Sequence, residues 1–337
     1  MRYNKGQKDY AHRWRVNEMA SLKEHLKTVI QLNCIALGAM YIGNRFIASV
    51  AGGKNMLKPG SGKYYRWQYG DVFYTKQGEG SPLLLIHELD PSFSSYEWNE
   101  IIDNLSKTYT VYAVDLPGCG RSFKDNVSYT NYYYVLFVQD FIRNVIKGKC
   151  TVIAGGYSSS FVIMADLADE RLIKKIIAVN PQSLHELMQS ASRKSRAAKA
   201  LLSLPILGTA VYNIVEARQN IDLSFTEKYL FNPFYSKPRF VDAFYEGAHY
   251  EESKGKFLLA SKAGKFMTVN IVKGLKKAGN HLVILYGEHL ENGEQIVKTY
   301  QHINPSIKAL SISKAKEMPE MECPEEFIKV FEASLRI

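Results

Sequence analysis

The run Val152-Ile153-Ala154-Gly155-Gly156-Tyr157-Ser158-Ser159-Ser160-Phe161 constrains what this chain can fold into more than any other stretch. A short apolar segment meets two glycines and three serines, and a helical pattern, Phe161-Val162-Ile163-Met164-Ala165-Asp166-Leu167, starts at once. A strand that passes through a tight turn into a helix needs small residues there, because neighbouring backbone runs close to the tip. Gly156-x-Ser158-x-Ser160 meets that need, with Ser160 where a glycine would be the stricter match. This register puts Ser158 at the tip, where a hydroxyl is presented as a nucleophile. The plainer alternative is a strand-to-helix turn whose serine only caps the helix.

Two further segments precede this turn. Ser81-Pro82-Leu83-Leu84-Leu85-Ile86-His87 reads as a buried strand ending in histidine. Tyr109 to Asp115 reads as a strand running into Leu116-Pro117-Gly118-Cys119-Gly120-Arg121-Ser122. In this order and at this spacing the three segments resemble the α/β-hydrolase family, and Asp-Leu-Pro-Gly-x-Gly-Arg-Ser is their most specific piece. The resemblance runs from Tyr64 to Ile337. It implies an α/β fold: a mostly parallel, doubly wound sheet with a helical cap.

The 337 residues suffice for one large core plus such a cap. The four cysteines, Cys34, Cys119, Cys150 and Cys323, are scattered without a Cys-x-x-Cys pair, so neither a disulfide framework nor a zinc site is expected. No metal and no cofactor is implied. The net charge of +10 is local: residues 1–60 hold ten Lys or Arg against three acids, an excess of seven. A basic arm rather than a basic domain face argues against nucleic acid as a partner.

The arm also carries Thr28 to Ala51, an apolar stretch interrupted by Gln31, Asn33, Asn44 and Arg45. Its uninterrupted part, Cys34 to Gly43, is short for a spanning helix. Three readings stay open: a membrane-associated anchor with basic flanks, a helix packed on the domain, or a cleaved signal peptide. The first gives the expected localisation, membrane-associated through this helix and otherwise cytoplasmic.

The domain plan is therefore an arm and linker over 1–62, a core over 63–181 and 280–337, and a helical cap over 182–279. Pro59-Gly60-Ser61-Gly62 marks the hinge of the linker. Tyr64–Trp67 and Val72–Lys76 read as a hairpin, and Tyr96–Leu105 and Asn131–Ile146 as helices. Leu201–Ala217 and Arg239–His249 have helical patterns, and the cap is rich in Tyr and Phe. Most of these aromatics are expected to form the cap's own core, and two or three to line an apolar substrate pocket.

What the resemblance implies for the site is mixed. Ser158 is the expected nucleophile, with Gly156 as the small residue beside it. The backbone N–H of Ser159, at a helix N-terminus, is one expected oxyanion donor, and Leu89, in the loop after His87, supplies the other. The family has His-Gly where this chain has His87-Glu88. His87 itself is expected to order that loop rather than act as base. The acid after the seventh strand falls nearest to Glu291, although Tyr286-Gly287-Glu288-His289-Leu290-Glu291 departs from the family spacing. Near the C-terminus the family's histidine pattern maps onto Lys316-Glu317-Met318-Pro319-Glu320-Met321-Glu322-Cys323-Pro324, which puts Glu317 in the histidine position. A carboxylate is a weak base unless burial raises its pKa. One alternative makes His289 the base and Glu317 its orienting acid. Two functions follow: a serine hydrolase acting on a small apolar ester, or a catalytically degenerate member that binds a ligand or partner at a membrane surface. An elbow serine argues against a dehalogenase, which carries aspartate there.

Overall fold

Leu83-Leu84-Leu85-Ile86, Val152-Ile153-Ala154, Ile176-Ile177-Ala178-Val179 and Leu282-Val283-Ile284-Leu285 are unbroken buried runs. They read this way because helices cover both faces of the sheet they form. The computed structural model describes residues 4–58, 60 and 62–337, so the expected hinge lies partly outside the described residues. Its strands are β1 Lys63–Trp67, β2 Gly70–Gln77, β3 Ser81–Ile86, β4 Tyr109–Val114, β5 Cys150–Gly155, β6 Ile173–Val179, β7 Leu282–Gly287 and β8 Lys308–Ile312. They form one sheet in the order β1-β2-β4-β3-β5-β6-β7-β8. The β1–β2 and β2–β4 pairs are antiparallel and the rest parallel.

On one face, Tyr134, Phe137, Phe141 and Phe161 pack beneath helices Asn131–Phe141 and Ser158–Ala168. On the other, Trp98 packs with Phe327 and Phe331 of helix Pro324–Ser334. Strand order reverses beside β3 and β5, and the loops leaving their C-terminal ends meet there, the usual place for a ligand site in such a sheet.

Asp115-Leu116-Pro117-Gly118-Cys119-Gly120-Arg121-Ser122 is a scaffold. The buried Asp115 carboxylate accepts from Arg121 Nε at 2.7 Å, from the Arg121 backbone N–H at 2.7 Å and from the Ser95 N–H at 2.8 Å. Burial alone would raise the Asp115 pKa, but the Arg121 guanidinium holds it well below the usual carboxylate range. Gly120 has φ +46°, and a Cβ there would lie 2.4 Å from the Asp115 carboxylate, so glycine is required.

Between β6 and β7 the described chain is helical, including Arg193–Ser203, Ile206–Val215, Arg218–Leu223, Pro238–Ser253, Lys256–Ala263 and Val272–Ala278. Phe225, Phe240 and Phe244 form a core of their own there. Two expected helices are broken. Leu201–Ala217 divides at Leu204-Pro205, because a residue before proline is pushed out of helical backbone. Tyr96–Leu105 resolves into a 3-10 turn, Ser95–Trp98, and a single helical turn, Ile102–Leu105.

The N-terminal helix is one 48-residue element, Asn4–Ala51. Its Asn17 to Ala51 portion, with the residues that follow to Lys54, is long and apolar enough by composition to cross a membrane. Leu22, Leu26, Val29, Ile30, Leu32, Ile35 and Ile42 are exposed along it. Its C-terminal end packs on helices Ile206–Val215 and Pro238–Ser253. The cysteines are free, with Cys119 and Cys150 buried.

Candidate active site

The turn after β5 places the residues differently from the expected register. Gly156, not Ser158, carries the left-handed backbone of the elbow, with φ +43°. The small-x-tip-x-small spacing is met by Ala154-x-Gly156-x-Ser158, two residues earlier than the register that made Ser158 the tip. Ser158 is the first residue of the helix, fully buried, and its Oγ donates to the His87 carbonyl at 2.6 Å. Its hydroxyl therefore fastens the helix to the β3 loop and does not face the cavity described below. Ser159 is displaced likewise: its N–H and its Oγ both point back to the Gly156 carbonyl, at 3.3 and 2.8 Å. The N–H that follows the tip belongs to Tyr157.

That N–H is occupied. Tyr157 N donates to Glu88 Oε2 at 2.7 Å. A Cβ on Gly156 would lie 1.4 Å from the same oxygen. The Glu88 carboxyl, arriving from the loop after β3, fills the space a nucleophilic side chain at the elbow would take. It also uses the N–H that would stabilise an oxyanion. Burial pushes Glu88 up to about 7, against the lowering effect of the Lys262 charge and the Tyr157 N–H.

His87 holds that loop. Nε2 accepts from the Leu116 N–H at 3.0 Å, which leaves Nδ1 as the donor to the Glu88 carbonyl at 2.6 Å. Burial lowers its pKa to about 4, so the ring is neutral and structural. Leu89 sits in the apolar core, and its carbonyl accepts from Lys262 Nζ at 2.6 Å.

A cavity of about 140 Å³ opens above this loop. Glu88, Asp90, Glu97, Glu317 and Glu320 line it, together with Lys228, Lys262, Tyr229 and Asn180. Of the cap aromatics only Tyr229 reaches it, and Phe93, Val179 and Met318 add apolar surface, so the lining mixes charged and apolar groups rather than being the apolar one expected for a small apolar ester. Asp90 and Lys262 form an ion pair at 2.7 Å. Burial opposes both charges, yet each holds the other ionised: Asp90 is lowered and Lys262 raised. Glu97 accepts the Glu88 N–H at 2.9 Å. Burial, and then the nearby Glu320, push its carboxyl well above the usual range, and burial pushes Glu320 up to about 8.

Glu317 faces the same cavity. Burial raises its carboxyl, and Lys228, 3.9 Å away, works against that shift. Asn180 was missed by the sequence reading although it organises this wall. Its Nδ2 donates to the Lys316 and Glu317 carbonyls at 3.0 and 2.9 Å, and its Oδ1 accepts from Gly287 N–H at 3.0 Å. Asn180 adopts φ +46°, a backbone asparagine tolerates, and Asn-Pro after β6 was the available signal. The Glu317 and Met318 N–H groups both donate to the Tyr229 carbonyl, at 3.0 and 3.1 Å, tying this loop to the helical region. Glu291 is exposed in the turn before helix Gly293–Ile303 and does not line the cavity. His289 stacks on Phe231 at 3.7 Å, also outside it.

Fold and sequence agree on the class. Residues 83–282 match the family model described as "Alpha/beta hydrolase family". The chain belongs to the α/β hydrolase family. It is 24% identical over 113 residues to the 2-hydroxy-6-oxo-6-(2'-aminophenyl)hexa-2,4-dienoic acid hydrolase of Metapseudomonas resinovorans, covering 33% of this chain and 39% of that protein. It is 26% identical over 109 residues to a soluble epoxide hydrolase of Corynebacterium sp. (strain C12), covering 32% and 37%. The chain thus aligns with about two fifths of the length of these curated relatives. The solved structure of the epoxide hydrolase CorEH without ligand superposes with a TM-score of 0.67 at 17% identity, over 82% of this chain and 98% of that one.

Proposed function

We propose that this chain is a membrane-attached member of the α/β hydrolase family that binds a small polar molecule beneath its helical cap and does not hydrolyse esters through a serine. The observation that carries this reading is the Glu88–Gly156 pair: the elbow has no side-chain oxygen, and a carboxyl occupies its place. Serine chemistry needs a hydroxyl at that tip, an imidazole to take its proton and free N–H donors. Here the Ser158 and Ser159 hydroxyls are tied to carbonyls, the residue expected in the base position is Glu317, a carboxyl, and the Tyr157 N–H is engaged. In this reading residues 182–279 act as the cap and residues 1–62 as the membrane arm.

A second reading keeps turnover and transfers it to Glu88. A carboxyl near pKa 7 holds both protonation states at neutral pH, which suits a general base or acid. One experiment separates the two. Wild type, Glu88→Gln and Ser158→Ala are assayed on short aryl esters and epoxides. The binding reading expects no enzyme-dependent rate in any of them. A rate lost in Glu88→Gln and kept in Ser158→Ala supports the second reading. A rate lost in Ser158→Ala restores the serine esterase and overturns both.

A further inference from the structure

The turn between helices Arg193–Ser203 and Ile206–Val215 has features that a water-facing corner does not require. Helix Arg193–Ser203 and the helical run Ile206–Tyr229, which begins with Ile206–Val215, meet at a bend of 108°. Leu201, Leu204, Leu207 and Ile214 are exposed around it. Leu207 and Ile214 fall at i and i+7 on one exposed stripe of the second helix; Val211 between them is half-buried against Leu202, Tyr212 and Ala260, and Gly208, Tyr212 and Asn213 are buried on the inner side.

The corner's carbonyls are satisfied from inside. Nζ of Lys256, a residue only 5% exposed, donates to the Leu204 and Pro205 carbonyls, both at 2.9 Å, and to Thr209 Oγ1 at 2.8 Å. Thr209 Oγ1 in turn donates to the Pro205 carbonyl at 2.6 Å. In water these carbonyls would find partners without help. Next to hydrocarbon they would not, and internal partners are then required.

The corner is also fixed against the N-terminal helix. Asn44 Nδ2 donates to the Ile206 carbonyl at 3.1 Å, and Asn44 Oδ1 accepts from the buried Asn213 Nδ2 at 2.9 Å. Asn44 directly follows the uninterrupted apolar run Cys34–Gly43. The corner therefore stands level with the end of that run. At the far end of its first helix, Arg193, Lys194 and Arg196 are exposed, about 10–15 Å away at 1.5 Å per residue. That is a reach suited to lipid phosphates, and each such residue near an anionic surface adds attraction.

We propose that this corner enters the interface of an anionic phospholipid leaflet beside the N-terminal helix, so that the protein is held at the bilayer by two elements in fixed relation. The proposal rests on the reading that the N-terminal helix is membrane-inserted. The full chain is reconstituted in vesicles of phosphatidylcholine and phosphatidylglycerol, with an environment-sensitive fluorophore on a single accessible cysteine, Cys119 and Cys150 being buried. Native Cys34 in a Cys323→Ser background reports the helix. Leu207→Cys in a Cys34→Ser, Cys323→Ser background reports the corner, and Tyr132→Cys in the same background is the control. Quenching is expected at 207 by lipids spin-labelled near the headgroup and at 34, about 15 Å further along the helix, by lipids spin-labelled deep in the acyl chain, and with neither at 132. Quenching at 34 without quenching at 207 overturns the proposal and leaves the helix inserted. Absence at both 34 and 207 overturns the insertion, and the proposal with it. Equal quenching at all three sites means adsorption without orientation and overturns the proposal alone.

Discussion

The carboxyl of Glu88 and the missing side chain of Gly156 share one site: Oε2 lies 1.4 Å from where a Cβ on Gly156 would stand, and 2.7 Å from the Tyr157 nitrogen. The loop after β3 and the elbow after β5 are thus complementary to each other, and the cavity above them is shaped by carboxyls rather than by a serine.

That complementarity is measurable as coupling. Gly156→Ser puts a side chain at φ +43° and evicts Glu88 from the Tyr157 N–H, so it should cost about 1–3 kcal/mol in chemical denaturation. Glu88→Ala removes the obstruction. The double variant should lose less stability than the two single losses added, by about 1 kcal/mol, because the residues share one space. Strict additivity would mean they do not.

Stability should fall with rising pH near neutrality. Glu88 and Glu320 titrate near 7 and 8 in the folded chain and near 4.5 when unfolded, so between pH 6.5 and 8 the folded state holds protons that the unfolded state has released. More protons on the folded side means stability lost as pH rises. Glu216, also raised to about 8 by burial, adds to the decline; Lys124, lowered to about 8 by burial, opposes it at the upper end of this window, and His87 and His249, lowered to about 4, oppose it only below their ordinary 6.5. Melting temperature should therefore decline from pH 6.5 to 8, and Glu88→Gln should flatten the decline. A profile that rises across this window contradicts the assignment.

Asn180→Ala removes three hydrogen bonds that hold the Lys316–Glu317 segment and the end of β7. At about 1 kcal/mol each the loss should be roughly 2–3 kcal/mol. Hydrogen exchange should quicken locally over residues 316–322, while the β3–β5 pairing stays protected. A uniform loss across the sheet would mean Asn180 supports the fold at large rather than this wall.

Much of this architecture was legible in the sequence because buried parallel strands are written as unbroken apolar runs. Leu83–Ile86 and Leu282–Leu285 are examples, and Asp115 to Ser122 carries its turn in its glycines. The elbow was legible as a turn but not in register. A serine draws attention, whereas the physical requirement is a residue that accepts positive φ, and Gly156 accepts it at least cost. Glu88 stands out in the sequence as a departure after His87, but nothing in the sequence says that its side chain crosses to the neighbouring loop. Glu291 followed from spacing after β7, and spacing does not reveal that the turn points outward. The cap aromatics pack on each other because a helical layer on a sheet needs a core of its own.

The central claim, that this elbow presents no serine, is tested most directly by covalent labelling. The full chain is treated with an excess of a fluorophosphonate at pH 8 and mapped by mass spectrometry across residues 150–168. No adduct on Ser158, Ser159 or Ser160 is predicted, in wild type and in Glu88→Gln alike, because the Ser158 hydroxyl is buried against the His87 carbonyl and the His87 ring is engaged by the Leu116 N–H and the Glu88 carbonyl. A stoichiometric adduct on Ser158 in wild type would contradict it.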